Sequence, residues 1–234
     1  MSPDQREKER SVAALVAPDI LDLLETEPGS IAAETEELHP ADLADVAELI
    51  PRELVSLLLT SLPRERAASV LEYVDDDLRA EILEAMDPDV AAGLLSGMTP
   101  DERADALDEM DEEAADEILE ELPERERAET ERLLQYEPDT AGGLMTTEFV
   151  SVPDSQTVEE ALAAVRIIAR AGRREAMGTV YVVDGRGVLS GVLSLRELLA
   201  APEGARISDI AWSEVVTVQA TADREEVAQL TSNY

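Results

Sequence analysis

Apolar residues recur at helical spacing through the first 135 or so positions, and then the rhythm changes. From Val12 to Leu24 they return every third or fourth residue, the signature of one buried helix face, and the run ends before Pro28-Gly29. Short blocks of one style follow, among them R-A-A-S-V-L-E-Y-V at 66–74, R-A-D-A-L-D-E-M at 103–110 and A-A-D-E-I-L-E-E-L at 114–122. The blocks are divided by Leu38-His39-Pro40, Ile50-Pro51, Leu62-Pro63, Met86-Asp87-Pro88, Met98-Thr99-Pro100 and Leu122-Pro123, while Val74-Asp75 and Met110-Asp111 divide them without proline. Proline suits a first helical turn, where its missing N–H has no intrahelical partner to lose. Thr99-x-x-Glu102 reads as a capping box. Helices this short are marginal alone and must stack to bury their apolar stripes. The pattern predicts a right- or left-wound superhelix of antiparallel helices over 12–135, preceded by a disordered, charged N-terminus at 1–11.

The stretch Y-E-P-D-T-A-G-G-L-M-T-T-E-F-V-S-V at 136–152 separates two rhythms. Pro138 stops the last helix. Gly142 and Gly143 form a joint, 136–148, able to take φ > 0 or to pass close to another element. Beyond it, strands and helices alternate: a strand at Phe149–Val152, a helix opened by the capping box Thr157–Glu160 and running to about Ala171, and a strand at Thr179–Val183. Asp184-Gly185-Arg186-Gly187 reads as a hairpin turn into a strand at Val188–Leu193, and Ser194-x-x-Glu197 caps a short helix. After Pro202-Glu203-Gly204 the pattern restarts, with a strand at Val215–Val218 and a helix at Asp223–Leu230.

Charge narrows the chemistry. The 54 acidic residues against 19 basic ones leave a net −35, which makes nucleic acid a poor partner. The excess fits either a surface adapted to high salt or carboxylates gathered for hard divalent cations, which take oxygen ligands. With no cysteine, thiolate metal sites and disulfides are excluded, and His39 is the single histidine. No paired acid and base accompanies a nucleophile, so the chain does not read as an enzyme. Its apolar runs are too short to span a bilayer and its first residues lack a signal-peptide core, so the expectation is a soluble, intracellular chain.

The order strand–helix–strand–strand–helix, with V-Y-V-V-D-G-R-G-V-L-S-G-V-L-S-L-R-E-L at 180–198, resembles a CBS (cystathionine-β-synthase) unit. Joined to the helical repeat through D-T-A-G-G-L-M-T at 139–146, it is similar to the cytoplasmic region of MgtE-type magnesium transporters. The resemblance implies an all-α superhelical domain followed by an α/β CBS domain, with the first unit at 149–204 and a second, truncated one at 205–234. It further implies a homodimer formed through CBS units, at the cytoplasmic inner face of the cell membrane, attached to a transmembrane channel domain absent from this chain.

In function, the resemblance implies Mg²⁺ sensing. The metal candidates it carries over are Asp101 and Asp105 in the helical domain, the Gly143 backbone oxygen, and Asp223 and Glu225 at the start of the last helix. One family ligand position departs from the pattern, being Ser69 here. An alternative is adenine-nucleotide sensing, with ATP or AMP held at Ser194 and Glu197, though the same residues satisfy a capping box. Arg166, Arg170, Arg173 and Arg174 make a basic patch suited to a nucleotide phosphate or to the acidic helical domain. Trp212, between the two units, reads as a packing anchor. The third alternative is a non-catalytic acidic scaffold.

Overall fold

The computed structural model describes residues 3–170 and 178–233. The chain divides into two compact units, one ending at Pro138 and one beginning at Asp139. In the first, helices α1 (Pro3–Thr26), α2 (Ile31–Glu34), α3 (Pro40–Leu49), α4 (Arg52–Thr60) and α5 (Arg64–Leu71) lead into five more. These are α6 (Asp76–Glu84), α7 (Pro88–Leu95), α8 (Pro100–Asp108), α9 (Glu112–Glu121) and α10 (Glu124–Leu133). From α3 onward the helices open at the predicted dividers. Pro40, Pro88 and Pro100 take the first helical position, while Pro51, Pro63, Pro123, Asp75 and Asp111 stand one residue before it. The residue before each helix is extended, so the chain reverses at every junction by the same backbone step.

The helices pack two apart in sequence. α1, α3, α5, α7 and α9 form one layer, and α4, α6, α8 and α10 the other. Leu43, Leu58, Leu59, Leu71, Leu83 and Leu95 are fully buried in the apolar seam between them. Arginines reinforce this stack. Arg66 on α5 donates to the carbonyls of Thr35, of Glu36 (3.1 Å) and of Leu38 (2.6 Å), which closes the corner after α2. Arg103 on α8, 2% exposed, donates from Nε to the Thr130 hydroxyl of α10 at 2.8 Å. Helix α1 begins at Pro3, so it covers most of the segment 1–11 expected to be disordered. Gln, Arg, Glu and Lys at positions 5–10 are good helix formers behind a first-turn proline, and the charged pattern obscured that propensity.

The second unit is built on a three-stranded sheet in the order β1 (Val150–Pro153), β2 (Thr179–Val183), β3 (Leu189–Ser194). β1 and β2 run parallel, joined by α11 (Val158–Arg170); β2 and β3 form an antiparallel hairpin. Val150, Val152, Val180, Val182 and Leu193 are buried with Val158, Ala161 and Val165 of α11 and Leu198 of α12 (Leu195–Ala200). The hairpin turns as predicted. Gly187 at φ +79° supplies the left-handed residue, and the Asp184 carboxylate accepts the Arg186 and Val188 N–H groups at 2.8 and 2.9 Å.

Helices α13 (Ile207–Ile210) and α14 (Arg224–Asn233) complete the described fold. One expectation changes here. Val215–Val218 forms no strand: its pattern is right, but a strand exists only through a hydrogen-bonded neighbour, and no described segment pairs with it. Of the two possibilities left open for Gly142 and Gly143, neither takes positive φ among the described residues, and the joint passes close to another segment of this unit. Ala141 and Gly142 donate to the Ala222 and Ala220 carbonyls at 2.8 and 2.7 Å, and Arg224 N–H donates to the Asp139 carbonyl at 2.9 Å.

Candidate metal and nucleotide sites

Asp101 and Asp105 lie one turn apart on α8 and share a face of that helix. Thr99 and Glu102 close the capping box that starts the helix, and Asp101 sits in the first turn, where the helix dipole favours a carboxylate. One turn beyond Asp105 comes Glu109. Its two oxygens accept from Arg79 Nη2 at 2.9 and 2.7 Å, and the same nitrogen reaches Asp76 at 2.8 Å. Arg79 itself is buried. Partial desolvation against the helical layer raises the Asp105 carboxyl above the ordinary aspartate value; Asp101 and Glu109 raise it further, and Arg79 pulls it back. The face thus carries a carboxylate pair whose mutual repulsion a cation would relieve. Oxygen donors of this kind are what Mg²⁺ selects.

The other metal candidates cluster at the joint of the second unit. Thr140 forms an isolated bridge with Asp223, and its hydroxyl accepts the Gly143 N–H at 3.3 Å. Asp223 Oδ1 accepts the Glu225 N–H at 2.8 Å, so that carboxylate caps α14. The structure therefore brings Gly143, Asp223 and Glu225 into one neighbourhood. Asp101 and Asp105 belong to the other unit. Among the described residues, no group of three or more acidic or histidine side chains is poised to hold a metal ion by itself. The donor chemistry fits Mg²⁺, and the donor number leaves room for water and further ligands.

Ser194 and Glu197 form the predicted capping box at the start of α12. Glu197 Oε2 accepts both the N–H and the hydroxyl of Ser194 at 2.8 Å, while Oε1 accepts Trp212 Nε1 at 2.9 Å. The Ser194 backbone bond, the Trp212 bond and the Ser194 hydroxyl bond hold this carboxyl below the usual glutamate value. The sheet face away from α11 carries a cavity of ≈ 450 Å³ lined in part by Thr146, Phe149, Gly178, Thr179, Tyr181 and Leu189. Phe149 and Tyr181 meet edge to face at 5.5 Å. Arg166 and Arg170 are exposed on α11; Arg173 and Arg174 lie outside the described residues. His39 caps α3, accepting the Ala41 N–H on Nδ1 at 3.2 Å, and packs edge to face on Tyr73.

Two features escaped the sequence. Arg79 looks like any surface arginine until α6 and α8 are packed, and nothing local announces that Trp212 reaches Glu197.

Two family models match: the MgtE intracellular N domain over residues 38–139 and the CBS domain over residues 141–204. The magnesium transporter MgtE of Thermus thermophilus is 48% identical over 111 residues, which are 47% of this chain and 24% of that protein. The chain spans about a quarter of the length of the curated relatives it matches, 24% for the two highest in identity. The solved cytosolic domain of the Mg²⁺ channel MgtE in complex with ATP superposes with a TM-score of 0.85 at 37% identity, covering 93% of this chain and 89% of that one. The soluble part of a magnesium transporter gives 0.79 at 29% identity, covering 97% and 87%. No helix among the described residues is long and apolar enough to cross a membrane.

Proposed function

The chain belongs to the MgtE family, and on that premise we propose that it is a Mg²⁺-sensing regulatory module of a magnesium transporter, working at the cytosolic face of the membrane. The observation that carries the reading is the Asp101–Asp105 pair, where charge accumulates on one helix face and Asp105 holds its proton more tightly than an ordinary aspartate. Two unit charges about 4 Å apart repel by roughly 4 kcal/mol at an effective dielectric near 20. Carboxylates brought together from the helical and CBS units therefore resist closure. In this reading Mg²⁺ bridges them and reverses the sign. Because the ion binds the closed arrangement better, it shifts the population toward closed, and the attached transmembrane part reads that state. Asp223, Glu225 and the Gly143 carbonyl are the candidate ligands of the second unit, and a homodimer through CBS units is part of the proposal. The role is regulatory rather than catalytic.

Small-angle X-ray scattering across a Mg²⁺ titration at constant ionic strength, with K⁺ as the control salt, tests this. The radius of gyration falls with Mg²⁺ and not with K⁺, and the double variant Asp101→Ala/Asp105→Ala loses the response. An unchanged response in that variant removes the pair as ligands. A response to both salts alike leaves an acidic scaffold adapted to salt.

A second reading, adenine-nucleotide sensing, is favoured by the cavity beside Phe149 and Tyr181 and by the relative solved in complex with ATP. Calorimetric titration with ATP and AMP tests it, and absence of heat for both discards it.

A further inference from the structure

Arg79 places a positive charge inside the helical layers, at the end of the acidic row on α8. The residue is 7% exposed. A guanidinium does not shed its proton when buried, so only hydrogen-bonded partners can stabilise it there. One nitrogen carries those bonds: Nη2 donates to both Glu109 oxygens at 2.9 and 2.7 Å and to Asp76 at 2.8 Å. Asp76 opens α6, the helix of Arg79 itself, and Glu109 follows the last residue of α8, so the guanidinium is clamped between two helices. Its Nε is buried without an acceptor among the described residues. Asp101, Asp105 and Glu109 follow one another at spacings of four and so lie along one helix face. The third of them is taken by Arg79. Asp105 feels the same charge: burial, Asp101 and Glu109 raise its carboxyl, and Arg79 lowers it.

We propose that Arg79 is a resident counter-cation that sets the Mg²⁺ threshold of the α8 row: it withholds Glu109 from the metal and repels the ion at Asp101 and Asp105. The inference rests on the Mg²⁺ reading of those two aspartates. Both effects have the same sign. Mg²⁺ binds through one or two carboxylates and keeps water at its other positions. A row without Arg79 offers it one more carboxylate, since Glu109 stands one turn from Asp105 as Asp105 stands one turn from Asp101. Such a row also lacks the fixed charge that opposes a second cation. Nor can the ion simply displace the arginine. Pulling Glu109 away would strand a buried guanidinium with Asp76 as its remaining carboxylate, and a buried charge that loses its partner is strongly destabilising. With Arg79 in place the module therefore responds only where Mg²⁺ is more abundant.

The test is the Mg²⁺ titration of the whole chain by small-angle scattering at constant ionic strength, read as the Mg²⁺ concentration at half compaction. Arg79→Gln removes the charge and keeps an amide that can donate to Glu109. Its midpoint falls about fivefold, the scale of one unit charge acting across one or two helical turns in screened solvent. Arg52→Gln is the control: it removes the same charge from an exposed position on α4, paired loosely with Glu81 of α6 at 3.9 Å, and moves the midpoint less than about twofold. Glu109→Gln, at the rim of the cluster, keeps the arginine and moves the midpoint upward, because the Arg79 charge then bears on Asp105 with less to offset it. An unmoved midpoint in Arg79→Gln, equal shifts in Arg79→Gln and Arg52→Gln, or an unmoved midpoint in Glu109→Gln each overturn the proposal and leave the Mg²⁺ reading standing. Absence of Mg²⁺-specific compaction in the wild type overturns that reading and the proposal with it.

Discussion

The two units put the same side chain to opposite uses. On α8 of the helical unit, Asp105 is raised by desolvation and by its acidic neighbours, so its charge is held at a disadvantage. In the CBS unit, Glu197 and Asp184 are wrapped in N–H and O–H donors that hold both below the ordinary carboxylate range. A net −35 is therefore not one uniform property. Carboxylates that accept several such donors at once, as Glu197 and Asp184 do, have less to offer a cation. Those that repel one another have something to gain from it. The difference comes from architecture: parallel rows of short helices line up side chains one turn apart, whereas a hairpin and its caps fold backbone donors around each acid.

The first way to probe this contrast is to ask whether charge matters to the helical stack at all beside its seam. Leu95→Ala, at a fully buried position, destabilises that unit by about 3 kcal/mol, read as a lower urea midpoint. A loss below about 1 kcal/mol would mean that the seam relaxes around the cavity and that electrostatics weigh more than argued. In the CBS unit the comparison turns on the cap. Ser194→Ala removes the hydroxyl that satisfies the Glu197 N–H and costs about 1 kcal/mol in chemical denaturation.

The smallest effect is the most diagnostic. Asp105→Asn in Mg²⁺-free buffer raises the melting temperature of the helical unit by about 2 °C, a modest figure because the residue is exposed and screened. The sign also follows with pH. Asp105 has a folded pKa above its unfolded one, so its contribution to stability is full below the unfolded value and is lost as pH rises through the folded one. Glu197 and Asp184 run the other way, contributing above their unfolded values and losing that contribution as pH falls through the folded ones. Melts followed between about pH 3 and 6 separate the two, because ordinary carboxylates titrate there. If Asp105→Asn leaves the pH profile of wild type unchanged, the contrast between the units fails at its central residue.

Much of this fold was readable because its signals are local. Proline or aspartate at each helix start, the capping boxes at Thr99, Thr157 and Ser194, and Gly187 in the hairpin act over three or four residues, and the structure uses them all. The strand expected at Val215–Val218 failed for the complementary reason. Alternating valines make a segment competent for a sheet, and only a neighbour makes it a strand. The A-G-G joint was recognised as special, but its role depends on residues 220–224, some eighty positions away, where the Ala220 and Ala222 carbonyls and the Arg224 N–H hold it in place.

By itself, then, the sequence determined the helical repeat, the switch to alternating strands and helices, and the residue types on offer: oxygen donors, no thiolate, one histidine. Composition and spacing are properties of the chain, and caps act within a single turn. Tertiary structure alone decided which of those oxygens were already spent. Arg79 takes Glu109 out of the row on α8, and Trp212 takes the outer oxygen of Glu197. Both partners come from 15 or more residues away, brought in by helix stacking and strand pairing, and no local pattern encodes that meeting.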